Sequence, residues 1–218
     1  MDTTERRGWS RRDLLRRAGV AGVVATLPAG VAISPAAAAL EREQRETFTS
    51  TEAATVDAIV ARLIPSEGSG AGAAEARVGR YIDLALNGEL RSLQGFYSAN
   101  LAALDEYATS MHGAAFSALP ATKQDAVLAA LETNMAAGFV PSSSAFFETI
   151  REHAIQGMFG DPYYGGNANF AGWDLISYPG IKLHLPAADQ RLEATVQPVH
   201  KSTYDFAIFR PGGSDHGD

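Results

Sequence analysis

Apolar residues recur every three or four positions over five stretches of this chain, the period of one helix face. In the first stretch Val56, Ile59, Val60 and Leu63 line up. Thr49 and Glu52 stand ahead of them at the spacing of a capping box, and Pro65 ends the run. A second helix is predicted over about residues 74–87, with Val78, Tyr81, Ile82, Ala85 and Leu86 on one side and Gly88 as its C-terminal cap. The third, about 90–111, presents Leu93, Phe96, Leu101, Leu104, Tyr107 and Met111 and closes at Gly113. Leu119-Pro120 opens a fourth, because proline suits a first helical turn, and Val127, Leu128, Leu131 and Met135 form its inner face. Gly138 and Pro141 separate it from a fifth, about 143–159, which buries Phe146, Phe147, Ile150, Ala154 and Met158. Serines 142–144 read as the N-cap cluster of that helix. No stretch alternates apolar and polar residues. The expected fold is therefore all-α: a compact bundle of about five helices, then an aromatic, Gly/Pro-rich loop region and an irregular C-terminal tail.

The segments between and after the helices carry their own signals. Residues 67–73 are glycine-rich but lack both a preceding strand and the G-x-G-x-x-G order, so they read as a mobile linker. From residue 160 the helical pattern stops. Asp161-Pro162 opens a turn, because proline fixes φ and pushes the residue before it out of the α region. Gly165, Gly166 and Asn167 all tolerate positive φ. Phe159, Tyr163, Tyr164, Phe170, Trp173 and Tyr178 crowd into the same region. Rings with that much apolar area should fold back on the helices or be covered by another protein. Farther on, 181–185 reads as a short extended piece and 186–192 as a helical turn or two. The run at 203–209 is apolar enough to pack or to dock as a strand, and 210–218 is polar and expected to be disordered.

At 218 residues the chain suits one domain with a signal or tail. Residues 1–39 have the three parts of an export signal. Ser10, Arg11, Arg12, Leu14 and Leu15 fit the S-R-R-x-[FL]-L pattern of twin-arginine signals. A glycine-interrupted apolar run follows, too weak for a membrane-spanning helix, and then small residues suited to cleavage. That route carries folded proteins, so a subunit bearing the signal can take a folded, cofactor-loaded partner with it. The net charge is −7; residues 1–39 hold six arginines against three acids, which leaves −10 on the rest. An acidic body argues against nucleic acid and anionic lipid as partners. With no cysteine, the chain has no disulfide, thiolate zinc site, iron–sulfur cluster or covalent haem.

No catalytic constellation emerges. The five histidines show no metal-ligand spacing. His153 could position the loop or touch a partner, but a half-buried helix histidine bonded locally is the favoured reading. Asp161 with Glu148 or Glu152 could be cast as an acid–base pair, yet an Asp before Pro more often caps a turn. Trp173 admits three readings: an interface anchor, a ring stacked on a sugar, or a core residue.

D-P-x-Y-G-G-N, then G-W-x-x-I, then Y-P-G, carried here by Asp161, Pro162, Tyr164, Gly165, Gly166, Asn167, Gly172, Trp173, Ile176, Tyr178, Pro179 and Gly180, resembles the signature of the gluconate 2-dehydrogenase subunit 3 family. Gln156 departs from it, standing where the pattern would place an acid. The resemblance spans roughly residues 52–180; with the signal read from the residues, the expected division is a signal (1–39), a helical domain (40–180) and a C-terminal extension (181–218). The resemblance implies an accessory subunit with no catalytic, cofactor or metal residues of its own. The large partner would be a flavin-dependent dehydrogenase of the glucose-methanol-choline type, holding FAD and passing electrons to a cytochrome c subunit or another membrane acceptor. The expected contact is Asp161, Pro162, Tyr163, Tyr164, Gly165, Gly166, Asn167, Trp173, Ile176, Tyr178 and Pro179, with Trp173, Tyr163, Tyr164 and Asn167 as anchors. The twin-arginine translocase would be a further partner. The competing reading, from a different class, is a stand-alone exported binding module for sugars or other small ligands.

Overall fold

The structure, a computed structural model, describes residues 45–68, 70–187, 189–191 and 196–209. The export signal expected at 1–39 and the polar end at 210–218 lie outside the described residues. Among the described residues there are six α-helices: α1 (Ser50–Leu63), α2 (Val78–Asn87), α3 (Gln94–His112), α4 (Ala121–Glu132), α5 (Ser143–Phe159) and the short α6 (Ala171–Leu175). Among the described residues there is no strand, only an isolated bridge between Glu67 and Gly70. Helix α1 packs against α2, α3, α4 and α5, while α5 lies along both α2 and α4. Val56, Ile59, Ile82, Leu86, Leu101, Leu104, Leu131, Phe146, Ile150 and Met158 meet in one core.

The helix ends follow from local chemistry. Thr49 and Glu52 form the reciprocal capping box at the start of α1. The side chain of Ser142 accepts the amide of Ala145 and starts α5. Gly113, at φ 81°, closes α3 in the left-handed region that glycine tolerates. Pro120 sits one position earlier than expected, at the N-cap of α4.

Several expectations need correction. Helix α2 starts at Val78 rather than near residue 74, because Arg77 adopts φ 56° and interrupts the helical path. The glycine-rich segment is not a linker. Ala73 donates to the Ile64 carbonyl at 2.8 Å, Glu75 accepts from Ser66 and Gly72, and Ala73 and Ala76 are fully buried. A Cβ on Gly72 would fall 2.6 Å from the Ile64 oxygen, so glycine is there for close backbone approach. Met111 and Met135, expected on inner faces, are exposed, the latter at 76%. Both stand in the last turn or just past the end of their helices, where no neighbour covers the apolar face.

One internal staple was not legible beforehand. Asp83 of α2 is fully buried, and its carboxylate accepts from the amides of Glu46 (2.8 Å), Thr47 (3.1 Å) and Phe48 (2.9 Å) and from Arg80 (3.3 Å). It pins the lead-in to α1 onto α2 and seats Phe48 against Tyr97. Replacing Asp83 by alanine strands three amides, while Arg80 keeps Glu46. The expected loss is about 3–4 kcal/mol in urea unfolding. A loss near zero would show that water replaces the carboxylate freely.

Candidate functional site

The aromatic region after α5 is an ordered lobe rather than a loose loop. Asp161 caps a 3-10 turn, Pro162–Tyr164, by accepting the amide of Tyr163 at 3.0 Å. The chain then reverses through Gly165 at φ 92° and reaches Asn167, which is fully buried. The Asn167 amide donates to the Gly157 carbonyl (2.7 Å) and its Nδ2 to the Gly160 carbonyl (2.8 Å). Its Oδ1 accepts from the amides of Gly172 (2.8 Å) and Trp173 (3.4 Å). One side chain thus joins the end of α5 to the start of α6.

Backbone approach is equally tight. A Cβ on Gly166 would overlap the Gly157 carbonyl, and one on Gly172 would overlap the Met158 carbonyl. Asn167, Asn169 and Phe170 all hold positive φ, a costly run that only dense surrounding contacts can sustain. Trp173 is 4% exposed, donates Nε1–H to the Phe159 carbonyl at 2.9 Å, and packs against Phe170 and Tyr178.

This geometry corrects part of the expected contact. Asn167 and Trp173, read as anchors for a partner, are spent on the chain's own fold, and Gly166 is buried beside them. Their side chains answer orphaned backbone groups where a long helix ends, a need invisible in residue type alone. Asp161, Pro162, Gly165 and Pro179 are half-buried. Tyr163, Tyr164, Ile176 and Tyr178 are exposed, and Leu175 joins them.

The C-terminal segment covers one side of the lobe. Residues 199–209 form a strap of two 3-10 turns, Thr203–Asp205 and Ala207–Phe209, not a strand. Val199 donates to the Pro179 carbonyl at 2.8 Å. His200 bonds Asp174 at 2.8 Å and stacks on Phe170. Asp161 accepts from the Ser202 hydroxyl (2.6 Å) and the Thr203 amide (2.8 Å). Burial alone would raise the Asp161 pKa, but its donors Ser202, Thr203 and Tyr163 outweigh that and hold it below the usual carboxylate range. Tyr204 stacks on Tyr163 at 3.8 Å and meets the hydroxyl of Tyr164 at 3.0 Å. Of the two readings of 203–209, packing holds and a docking strand does not; Ser202 and Asp205, at capping-box spacing, form that box at its start.

His153 is buried, and its Nδ1 lies 2.8 Å from the hydroxyl of Tyr97 on α3, so it is bonded across the core rather than locally. Burial pushes the Tyr97 hydroxyl up in pKa and the His153 imidazole down, with Glu152 partly opposing the latter. The pair is thus a bond between a neutral hydroxyl and a neutral ring, whose direction the imidazole tautomer sets. A histidine held neutral contributes stability above its unfolded pKa, and that contribution is lost as pH falls below it. The unfolding midpoint should drop between about pH 7 and 5, and His153→Gln should flatten that slope. Parallel slopes in the two proteins would refute the assignment.

Gln156, the departure from the signature pattern, accepts from the Tyr81 hydroxyl at 3.0 Å and bonds Glu152. Among the described residues no group of three or more His, Asp or Glu side chains could hold a metal ion. No helix among them is long and apolar enough to cross a membrane.

The model of the family described as gluconate 2-dehydrogenase subunit 3 matches residues 50–180. The chain belongs to that family. Neither a curated protein nor a solved structure matches it. The matched span opens with the first residue of α1 and closes at Gly180, so it takes in the whole bundle and the lobe. The strap lies beyond it. Membership makes the chain a subunit of a multi-subunit dehydrogenase complex.

Proposed function

We propose that this chain is the non-catalytic small subunit of an exported, flavin-dependent dehydrogenase of the glucose-methanol-choline type. It supports the folding, stability and twin-arginine export of a catalytic subunit that holds the FAD. Electrons from that flavin pass to a cytochrome c subunit or another membrane acceptor. The observation that carries this reading is the outer rim of the lobe. Tyr163, Tyr164, Leu175, Ile176 and Tyr178 remain exposed on a lobe bonded to the end of α5 through Asn167 and Trp173, inside the span that the family model matches. Rigid exposed rings and aliphatic side chains on a well-ordered surface are the composition of an interface core. Export rests on the arginine pair at Arg11 and Arg12 with Leu14 and Leu15 behind them.

The test is co-expression of the catalytic subunit with and without this chain. Extracytoplasmic flavin-loaded dehydrogenase should fall at least about tenfold without it. It should fall as far when Arg11 and Arg12 are both replaced by lysine. Equal exported activity in all three strains would sink the proposal.

A further inference from the structure

The strap and the rest of the chain are held by different forces. Among the described residues the hydrophobic core ends at Met158, and the partly buried side chains packed on it end at Ala171. Residues 199–209 add nothing to that core. Of these residues only Ser202 is buried, while Lys201, Asp205, Ile208 and Phe209 are exposed. The described residues of the segment leading to the strap, 181–198, form no helix or strand, and most are exposed.

Hydrogen bonds and ring stacking fasten the strap to the lobe. Asp161 accepts from Ser202 and Thr203, Pro179 accepts from Val199, and His200 bonds Asp174. Tyr204 stacks on Tyr163 and His200 on Phe170. An accessible hydrogen bond is exchanged for one to water with little net loss, whereas opening the bundle exposes a whole apolar core. A segment held in the first way opens at a far lower free energy than the body it rests on.

What the strap covers gives its opening a consequence. Asp161, Tyr163, Tyr164, Phe170 and Asp174 all lie within the span that the family model matches, and the strap lies beyond it. Tyr163 and Tyr164 also belong to the rim through which the catalytic subunit is proposed to dock. Tyr204 lies 3.8 Å from Tyr163, ring centre to ring centre, and its hydroxyl is 3.0 Å from that of Tyr164. A partner ring cannot stack on the face of Tyr163 that Tyr204 already fills. Strap and partner thus compete for the same two side chains.

We propose that residues 199–209 are a detachable cover: they leave the lobe as one unit while the bundle and lobe stay folded, and the catalytic subunit displaces them to reach Tyr163 and Tyr164. The displacement rests on the accessory-subunit reading. The independent opening does not.

Hydrogen exchange of the full chain, read amide by amide, tests the opening. The amides of Val199 and Thr203 should exchange at least about a hundredfold faster than those of Ile59 in α1 and Ile150 in α5. Tyr204→Ala, a change outside the bundle and the lobe, should speed both strap amides by a similar factor of at least about tenfold, although Val199 bonds Pro179. The lobe amides of Asn167 and Gly172, bonded to Gly157 and Asn167, should keep their rates. Strap amides as slow as the helical ones, or lobe amides that speed up with them, would make strap and lobe one body and overturn the cover. A response confined to Thr203 would overturn the single unit. In the co-purified complex, exchange read by mass spectrometry should be at least about tenfold faster at Val199 and Thr203 than in the free chain. Equal or slower exchange there overturns the displacement and leaves the accessory role standing. If the subunits do not co-purify, the accessory reading falls and the displacement with it, while exchange in the free chain still decides the opening.

Discussion

Asn167→Ala is expected to lower the stability of the chain by about 3 kcal/mol or more, read as a fall of roughly 6–12 °C in Tm. The Asn167 side chain donates to the Gly160 carbonyl and accepts from two amides of α6. At full burial nothing replaces these bonds, so each stranded group costs its desolvation. Backbone conformation adds a second part. Asn167 stands at φ 45°, which asparagine tolerates better than alanine. Asn167→Gly removes the bonds without the conformational penalty and should be milder than alanine by about 1 kcal/mol. A loss below about 1 kcal/mol for alanine would mean that water reaches these groups.

Gly172→Ala is expected to be at least as damaging, on the order of 3–5 kcal/mol. The added carbon would occupy the space of the Met158 carbonyl oxygen, which belongs to helix backbone and cannot rotate aside. Relief would require α6 to move away from α5, and Gly172 also donates to Asn167, so the shift would break that bond too. Gly95 is the internal control. A Cβ there meets nothing within 4 Å in the first turns of α3, and Gly95→Ala should stabilise by about 0.5–1 kcal/mol. Opposite signs for one chemical change in one protein are hard to explain except by the close approach. Urea unfolding of the three proteins decides it, and a Gly172→Ala value within about 0.5 kcal/mol of the parent would discard the packing argument.

These two predictions reassign the most distinctive residues of the lobe. Gly166, Asn167, Gly172 and Trp173 build the platform, whereas Tyr163, Tyr164, Ile176 and Tyr178 stand on it. The division matters for reading variants. Changes in the first set should lower stability, and partner binding would fall only as a consequence. Changes in the second set should cost less stability, since Tyr163 and Tyr164 hold the strap through Tyr204 and Tyr178 packs on the edge of Trp173.

The five long helices, their order and most of their ends were readable from the residues, because they rest on interactions spanning few positions, whereas the short α6 lies in what read as a loop. The Thr49–Glu52 box, the Ser142 cap and the Gly113 terminus each satisfy neighbouring backbone groups, and apolar spacing marks the buried face. The family, too, was legible, since its signature is a contiguous pattern. Tertiary structure alone decided which residues of that pattern point inward. A buried asparagine that staples two helices and an exposed one that greets a partner have the same letter and the same neighbours. Asp161 to Ser202, Tyr97 to His153 and Asp83 to Thr47 join positions 41, 56 and 36 apart, and no local period records such pairings. They form because buried polar groups must find partners wherever folding brings donors and acceptors together, and that meeting place is a property of the packed bundle.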